Sequence, residues 1–96
     1  MCVGTIKPVS RVDPTRLADL DAVLAEVRSW PGIEDRGGGT MYLRRKPFLH
    51  FHVGHDSRRA DVRGVDGWTE VDLPEPSSAA ARRRLLGVLR TEYAGR

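Results

Sequence analysis

The apolar positions of this chain change their period part-way along it, and the change separates helical from extended stretches. Leu17, Leu20, Val23, Leu24 and Val27 recur at helical spacing and make one apolar stripe, with Asp19, Asp21, Glu26 and Arg28 on the other side. Asp13 is a good N-cap for this helix, and Pro14 fits its first position, where a missing N–H costs nothing. Pro31 and Gly32 should stop it at Trp30. Residues 34–39 read as a loop. Four stretches of period two follow: Thr40 to Arg44, Phe48 to Val53, Arg59 to Arg63 and Trp68 to Leu73. Short connections holding turn residues, around Arg45–Pro47, Gly54–Ser57 and Gly64–Gly67, favour antiparallel hairpins.

Pro74 and Pro76 end the last strand, and Ser77 or Ser78 caps a second helix with the apolar face Ala81, Leu85, Val88, Leu89 and Tyr93. Two helices with one apolar stripe each must cover one face of the sheet. The predicted fold is therefore α+β, a two-layer sandwich in the order α-β-β-β-β-α. Its four-stranded antiparallel meander carries both helices on one face. Residues 13–96 form the single domain. Residues 1–12 carry no clear period and read as an N-terminal arm or an edge strand.

Composition narrows the function classes. A chain of 96 residues, 40% hydrophobic and 30% charged, is an ordinary globular domain with room for one core and no second lobe around a deep cleft. Cys2, the one cysteine, demands no oxidising compartment, and no apolar run is long enough to span a membrane. The N-terminus lacks the basic region of a secretory signal, so a cytoplasmic location is expected. The net charge is +3, and of 16 basic residues only Lys7 and Lys46 are lysines. Arginine binds phosphate and carboxylate with a planar fork, yet 13 acids are interspersed with the bases, which counts against nucleic acid as a partner.

Strand parity brings in candidate chemistry. If the helices cover Met41, Leu43, Leu49, Phe51, Val53, Val62, Val71 and Leu73, the opposite face shows Tyr42, Phe48, His50, His52, Asp61, Arg63, Trp68, Glu70 and Asp72. A turn at Gly64–Gly67 sets Arg63 opposite Trp68, Asp61 opposite Glu70 and Arg59 opposite Asp72. Turns at His55–Asp56 and Arg45–Pro47 add His50 beside Asp61 and Tyr42 beside His50. A row Tyr42–His50–Asp61–Glu70 then crosses the sheet.

Three uses of that face follow. As a binding or assembly surface, for a protein partner or a second copy, it offers Tyr42, Phe48 and Trp68 as aromatic anchors. As a metal site it offers the H-x-H pair His50 and His52 with Asp61 alongside, a donor set suited to zinc. A histidine flanked by carboxylates also has acid–base chemistry, but no nucleophile accompanies it. A third use, nucleic-acid binding, rests on Arg44, Arg45, Lys46, Arg58 and Arg59 near the hairpin tips. The glycines Gly37 to Gly39 lack the Lys-Ser/Thr of a phosphate loop and read as a connector.

Several pieces of the chain also match a known pattern: W-P-G-I from Trp30, G-G at Gly38–Gly39, L-H-F-H from Leu49 to His52, A-D-V from Ala60 to Val62, D-G-W-T-E-V from Asp66 to Val71, and a last helix ending in Glu92–Tyr93. In these, the run from Trp30 to Tyr93 resembles the small "luciferase domain" family of uncharacterised bacterial and fungal proteins. The chain departs from that family in having only Arg63 to Asp66 where members carry a further helical segment. The resemblance implies a fold rather than an activity.

Overall fold

The computed structural model describes residues 12–96, so the arm or strand expected before that point, with Cys2 and Lys7, lies outside the described residues except for Val12. A 3₁₀ helix, Pro14–Leu20, leads directly into α1, Asp21–Arg28. The strands are β1 (Ile33–Asp35), β2 (Thr40–Leu43), β3 (Lys46–Val53), β4 (Arg58–Gly64) and β5 (Gly67–Asp72), followed by α2 (Ala79–Ala94). Both helical starts are capped as their sequences demand. The Thr15 N–H donates to Asp13 Oδ1 at 3.0 Å, and the Ala81 N–H donates to Ser78 Oγ at 3.0 Å. No helix among the described residues is long and apolar enough to cross a membrane.

The class is α+β, with an antiparallel sheet in the order β1-β2-β3-β4-β5. It has five strands rather than the four expected. The added strand, β1, falls where the sequence read a loop: Ile33 pairs with Leu43, Glu34 with Tyr42 and Asp35 with Met41. Three residues with one apolar side chain show no period, so β1 is held by its partner rather than by its own propensity. The glycines that follow have φ values of 76°, 61° and 80° at Gly37, Gly38 and Gly39. Three successive left-handed residues need glycine, and they turn the chain back into β2.

One core serves both layers. Leu17, Leu20, Val23, Leu24 and Val27 from the first helical stretch and Leu85 and Leu89 from α2 meet Met41, Leu43, Leu49, Phe51, Ala60, Val62, Val71 and Leu73 from the sheet. Trp30, Phe48 and Tyr93 close one end. The Trp30 and Tyr93 rings lie 5.0 Å apart, Phe48 meets Tyr93 edge-on at 6.2 Å, and the Tyr93 hydroxyl donates to the Pro31 carbonyl at 2.6 Å. The W-P-G-I and Glu-Tyr pieces of the sequence therefore meet as packing elements.

Phe48 is the main correction to the expected parity. Met41 pairs with Leu49 but Tyr42 pairs with Pro47, so β3 carries one extra residue opposite a single step of β2. That bulge turns Phe48 to the same side as Leu49, and its ring is fully buried in the core. Phe48 is not an anchor on the outer face. The bulge also removes the expected Tyr42–His50 pair, because Thr40 stands opposite His50. The β2–β3 turn is Arg44–Arg45, earlier than expected, with φ of 50° and 73° at these two residues.

Arg58 is the second correction. Expected at a hairpin tip and open to phosphate, its side chain is 1% exposed and enters the protein. It donates to both Asp19 carboxylate oxygens at 2.7 and 2.8 Å, and to the carbonyls of Arg16, Leu73 and Pro74. Asp19 also accepts from the Ser77 N–H and hydroxyl. One ion pair thus fastens the 3₁₀ helix, the start of β4 and the linker from β5 to α2. The Arg58 guanidinium, helped by Ser77, holds the Asp19 carboxyl far below the ordinary carboxylate range.

A depressed carboxyl stabilises the fold above the ordinary carboxylate pKa and loses that contribution as pH falls below it. Asp19→Asn should lower the unfolding free energy at neutral pH by about 3 kcal/mol, because it leaves a buried guanidinium without its counter-charge. The gap between the two proteins should narrow as pH drops below about 4. Urea denaturation at pH 7 and pH 3 checks both, and equal midpoints at pH 7 would refute the clamp.

Candidate functional site

Alternation along β3 and β4 sends His50, His52, Arg59, Asp61 and Arg63 away from the aliphatic core, and β5 adds Trp68, Glu70 and Asp72. The register aligns them as expected for four pairs: His50 with Asp61, Asp61 with Glu70, Arg59 with Asp72 and Arg63 with Trp68. His52 stands opposite Arg59.

Asp61 is the centre of the arrangement. Its side chain is 15% exposed, and its two oxygens take different partners: His52 Nε2 at 2.9 Å and Arg59 Nε at 3.1 Å. Arg59 also comes within 3.8 Å of Glu70. Two carboxylates facing each other across β4 and β5 repel unless a cation lies between them, and Arg59 supplies it. Arg59 thereby turns from its register partner Asp72 toward Asp61 and Glu70. Neither a phosphate-binding tip nor a simple cross-strand pair describes it.

His50 lies inside the row. Its ring is 4.5 Å from that of His52, and its Nε2 is buried without a hydrogen-bond partner among the described residues. Thr40 Oγ1, on the residue opposite, is in the same condition. Burial, and then the adjacent His52, push the His50 pKa below the ordinary imidazole value, while Asp61 pulls the other way. The His50 ring packs on that of His52. Among the described residues, no three His, Cys, Asp or Glu side chains are grouped to hold a metal ion. In the set His50, His52 and Asp61, the two rings pack on each other and the Nε2 of His52 lies 2.9 Å from Asp61 Oδ2.

The rest of the face divides in two. Toward the β3–β4 turn, His52 and Arg59 border a cleft of about 440 Å³ shared with Asp13, Arg16, Ser57 and Asp72. Arg16 there is bound to Glu75 and to the Gly54 carbonyl. Toward the other end, Trp68 is 46% exposed, and the Arg63 guanidinium lies 5.7 Å from its ring centre. Tyr42, displaced from the histidines by the bulge, stacks under Arg36 at 4.0 Å. The chain matches no family model, no curated protein and no solved structure.

Sequence reasoning missed three contributors. Thr40 could have been found only by placing the bulge. Arg59 was counted with the phosphate-binding arginines although its parity already put it beside Asp61. Arg36 comes from the segment after β1, which showed no strand period.

A histidine whose folded pKa is lowered binds its proton more readily in the unfolded chain, so the fold loses stability as pH falls through and below about 6.5. The C2 proton of His50 should titrate below that value in an NMR titration. Asp61→Asn should move its midpoint further down, since the one neighbour that raises it is neutralised. An unchanged or raised midpoint in Asp61→Asn would break the assigned coupling.

Proposed function

We propose that this protein is a small binding module that presents the outer face of its sheet to a macromolecular partner. One observation carries the reading: polar groups on this face are held in place before any ligand arrives. His52, Asp61, Arg59 and Glu70 are linked in a continuous array, beside a tryptophan left half in solvent. Pre-fixed side chains lose little entropy on binding, and an exposed aromatic is a common anchor. The same array argues against acid–base catalysis, because Asp61 is shared between Arg59 and His52, and the Nε2 of His52 is directed at it. It argues against zinc in the same way.

Pairing of a second copy along the β5 edge is disfavoured. The Gly64–Gly67 pair and the Leu73 N–H to Arg58 carbonyl bond fix the phase of β5, so the backbone groups of Trp68, Glu70 and Asp72 face outward at the sheet edge. Antiparallel self-pairing centred on Glu70 sets that acid against its own counterpart. Centring on Thr69 sets Asp66 against Asp72, and centring on Val71 sets Glu70 against Asp72. Acids on an edge strand discourage pairing of like edges. Loss of Phe48 to the core also removes one of the three anchors that self-association would use.

Two measurements test the reading. A photo-crosslinking residue at Glu70 should give discrete adducts in cells, and one at Arg83 on α2 should give none. Excess purified protein should compete for those adducts, and Trp68→Ala protein should compete poorly. Adducts from both positions alike, or from neither, would remove the outer face as the binding surface. Sedimentation should return a monomer; a dimer dispersed by Trp68→Ala would make a second copy the occupant.

A further inference from the structure

Among the described residues the cations differ in whether a carboxylate answers them, and Arg82, Arg83 and Arg84 in the first turns of α2 have no ion pair. Arg16, Arg28, Arg36, Arg58, Arg59 and Arg90 each have a carboxylate partner. At the end of the sheet that holds the β2–β3 and β4–β5 turns, the pattern is different. Lys46, Pro47, Arg63, Trp68 and Arg96 line one hollow of about 270 Å³, with Arg44 and Arg45 in the adjoining turn. Neither the three cations that line the hollow, Lys46, Arg63 and Arg96, nor Arg45 and Arg44, whose guanidinium lies 5.9 Å from the Tyr93 ring centre, forms an ion pair among the described residues. The nearby acids are Asp66, in the β4–β5 turn, Glu92, whose carboxylate lies against Gly64, and, one pair further along the same face, Asp61 and Glu70, which Arg59 already bridges.

The hollow is braced as well as charged. Arg96 Nη1 donates to the Pro47 carbonyl at 3.0 Å and to the Arg63 carbonyl at 3.1 Å, tying α2's end to β3 and β4. Arg63 stacks on Trp68, and Pro47 adds a rigid apolar wall. Solvated cations alone would need no ligand. The exposed indole among them is what changes the picture, since an aromatic surrounded by unpaired cations matches a ligand with both a π-face and phosphate charge.

We infer that this corner binds single-stranded nucleic acid, with Trp68 stacking on one base and Lys46, Arg63, Arg44 and Arg45 taking the flanking phosphates. The inference rests on the binding-module reading above and names its partner. A duplex hides its base faces and would leave Trp68 idle. A free nucleotide shares the same base-and-phosphate chemistry but would engage only part of a row of cations that runs into the β2–β3 turn.

The test is fluorescence anisotropy with a labelled mixed-sequence 12-mer, as single-stranded RNA, single-stranded DNA and duplex, with ATP as competitor. The single strands should bind and quench Trp68 in a Trp30→Phe background. Affinity should fall about 30-fold between 50 and 200 mM salt if three or four phosphates are neutralised. Trp68→Ala should weaken single-strand binding about tenfold without altering the salt slope. Arg63→Ala and Lys46→Glu should weaken binding and flatten that slope, and Arg83→Ala should change neither. Because Lys46 is exposed, its variant keeps the test valid if Trp68→Ala folds poorly, which circular dichroism reports.

Three outcomes overturn the inference: no binding at low salt, equal binding of duplex and single strand that ignores Trp68→Ala, or competition by ATP at the affinity of the oligonucleotide. Crosslinked adducts at Glu70 that resist nuclease but yield to protease would leave the outer face as a binding surface and remove nucleic acid from it. Absence of adducts would remove both.

Discussion

The extra residue of β3 opposite the Met41–Tyr42 step decides what the sheet shows to solvent. A strand alternates strictly, so without the bulge Phe48 would share a face with His50 and His52, and Tyr42 would stand beside His50. With it, Phe48 and Leu49 point the same way and the core gains an aromatic ring against Tyr93. The outer face loses that ring and keeps its polar row. Thr40, not Tyr42, becomes the neighbour of His50. One inserted residue therefore separates an apolar closing cluster from a polar surface a few ångströms away.

Arginine does three different jobs here, and environment alone tells them apart. Arg58 is buried and saturated, with Asp19 and three carbonyls taking up its donors. Arg59, the next residue, points to the opposite face and links Asp61 to Glu70. Arg63, four residues further along the strand, has no carboxylate and lies over an indole. A buried guanidinium needs nearly all its donors satisfied, whereas an exposed one can leave several to water. Composition cannot distinguish these cases, because a count of bases records charge and not burial. The even spread of acids in sequence hides which bases they reach in space: six arginines pair with carboxylates, and Arg63 does not.

Much of the fold was legible because it is written in long, redundant signals. Five apolar residues mark the first helix, Ser78 caps the second, and the β3–β4 and β4–β5 registers follow from turns rich in glycine, aspartate and serine. The site was legible to the same extent: the pairs His50–Asp61, Asp61–Glu70 and Arg63–Trp68 depend only on those two hairpins. What stayed hidden was local and short. β1 has three residues and no period. The bulge changes parity by one residue in a strand whose outer and inner positions are both aromatic or apolar near Phe48, so neither register violates the pattern. The Asp19–Arg58 pair joins residues far apart in sequence, and nothing in either neighbourhood marks them as partners.

The polar row and the basic corner differ in a way that bears on which can act. Around Asp61 the side chains are engaged with one another, so a partner meets them as a preset surface, and displacing His52 or Arg59 from the largely buried carboxylate would cost desolvation. At Trp68 the cations face solvent, and a ligand's phosphates displace only water and counterions. The row therefore serves as a frame that ties side chains of β3, β4 and β5 together on this face. The corner is where new contacts form at little expense to existing ones. A face tied together at its centre and chemically open at one end is suited to taking a ligand at that end, which is why the proposed contacts rest on the balance of charge more than on the histidines.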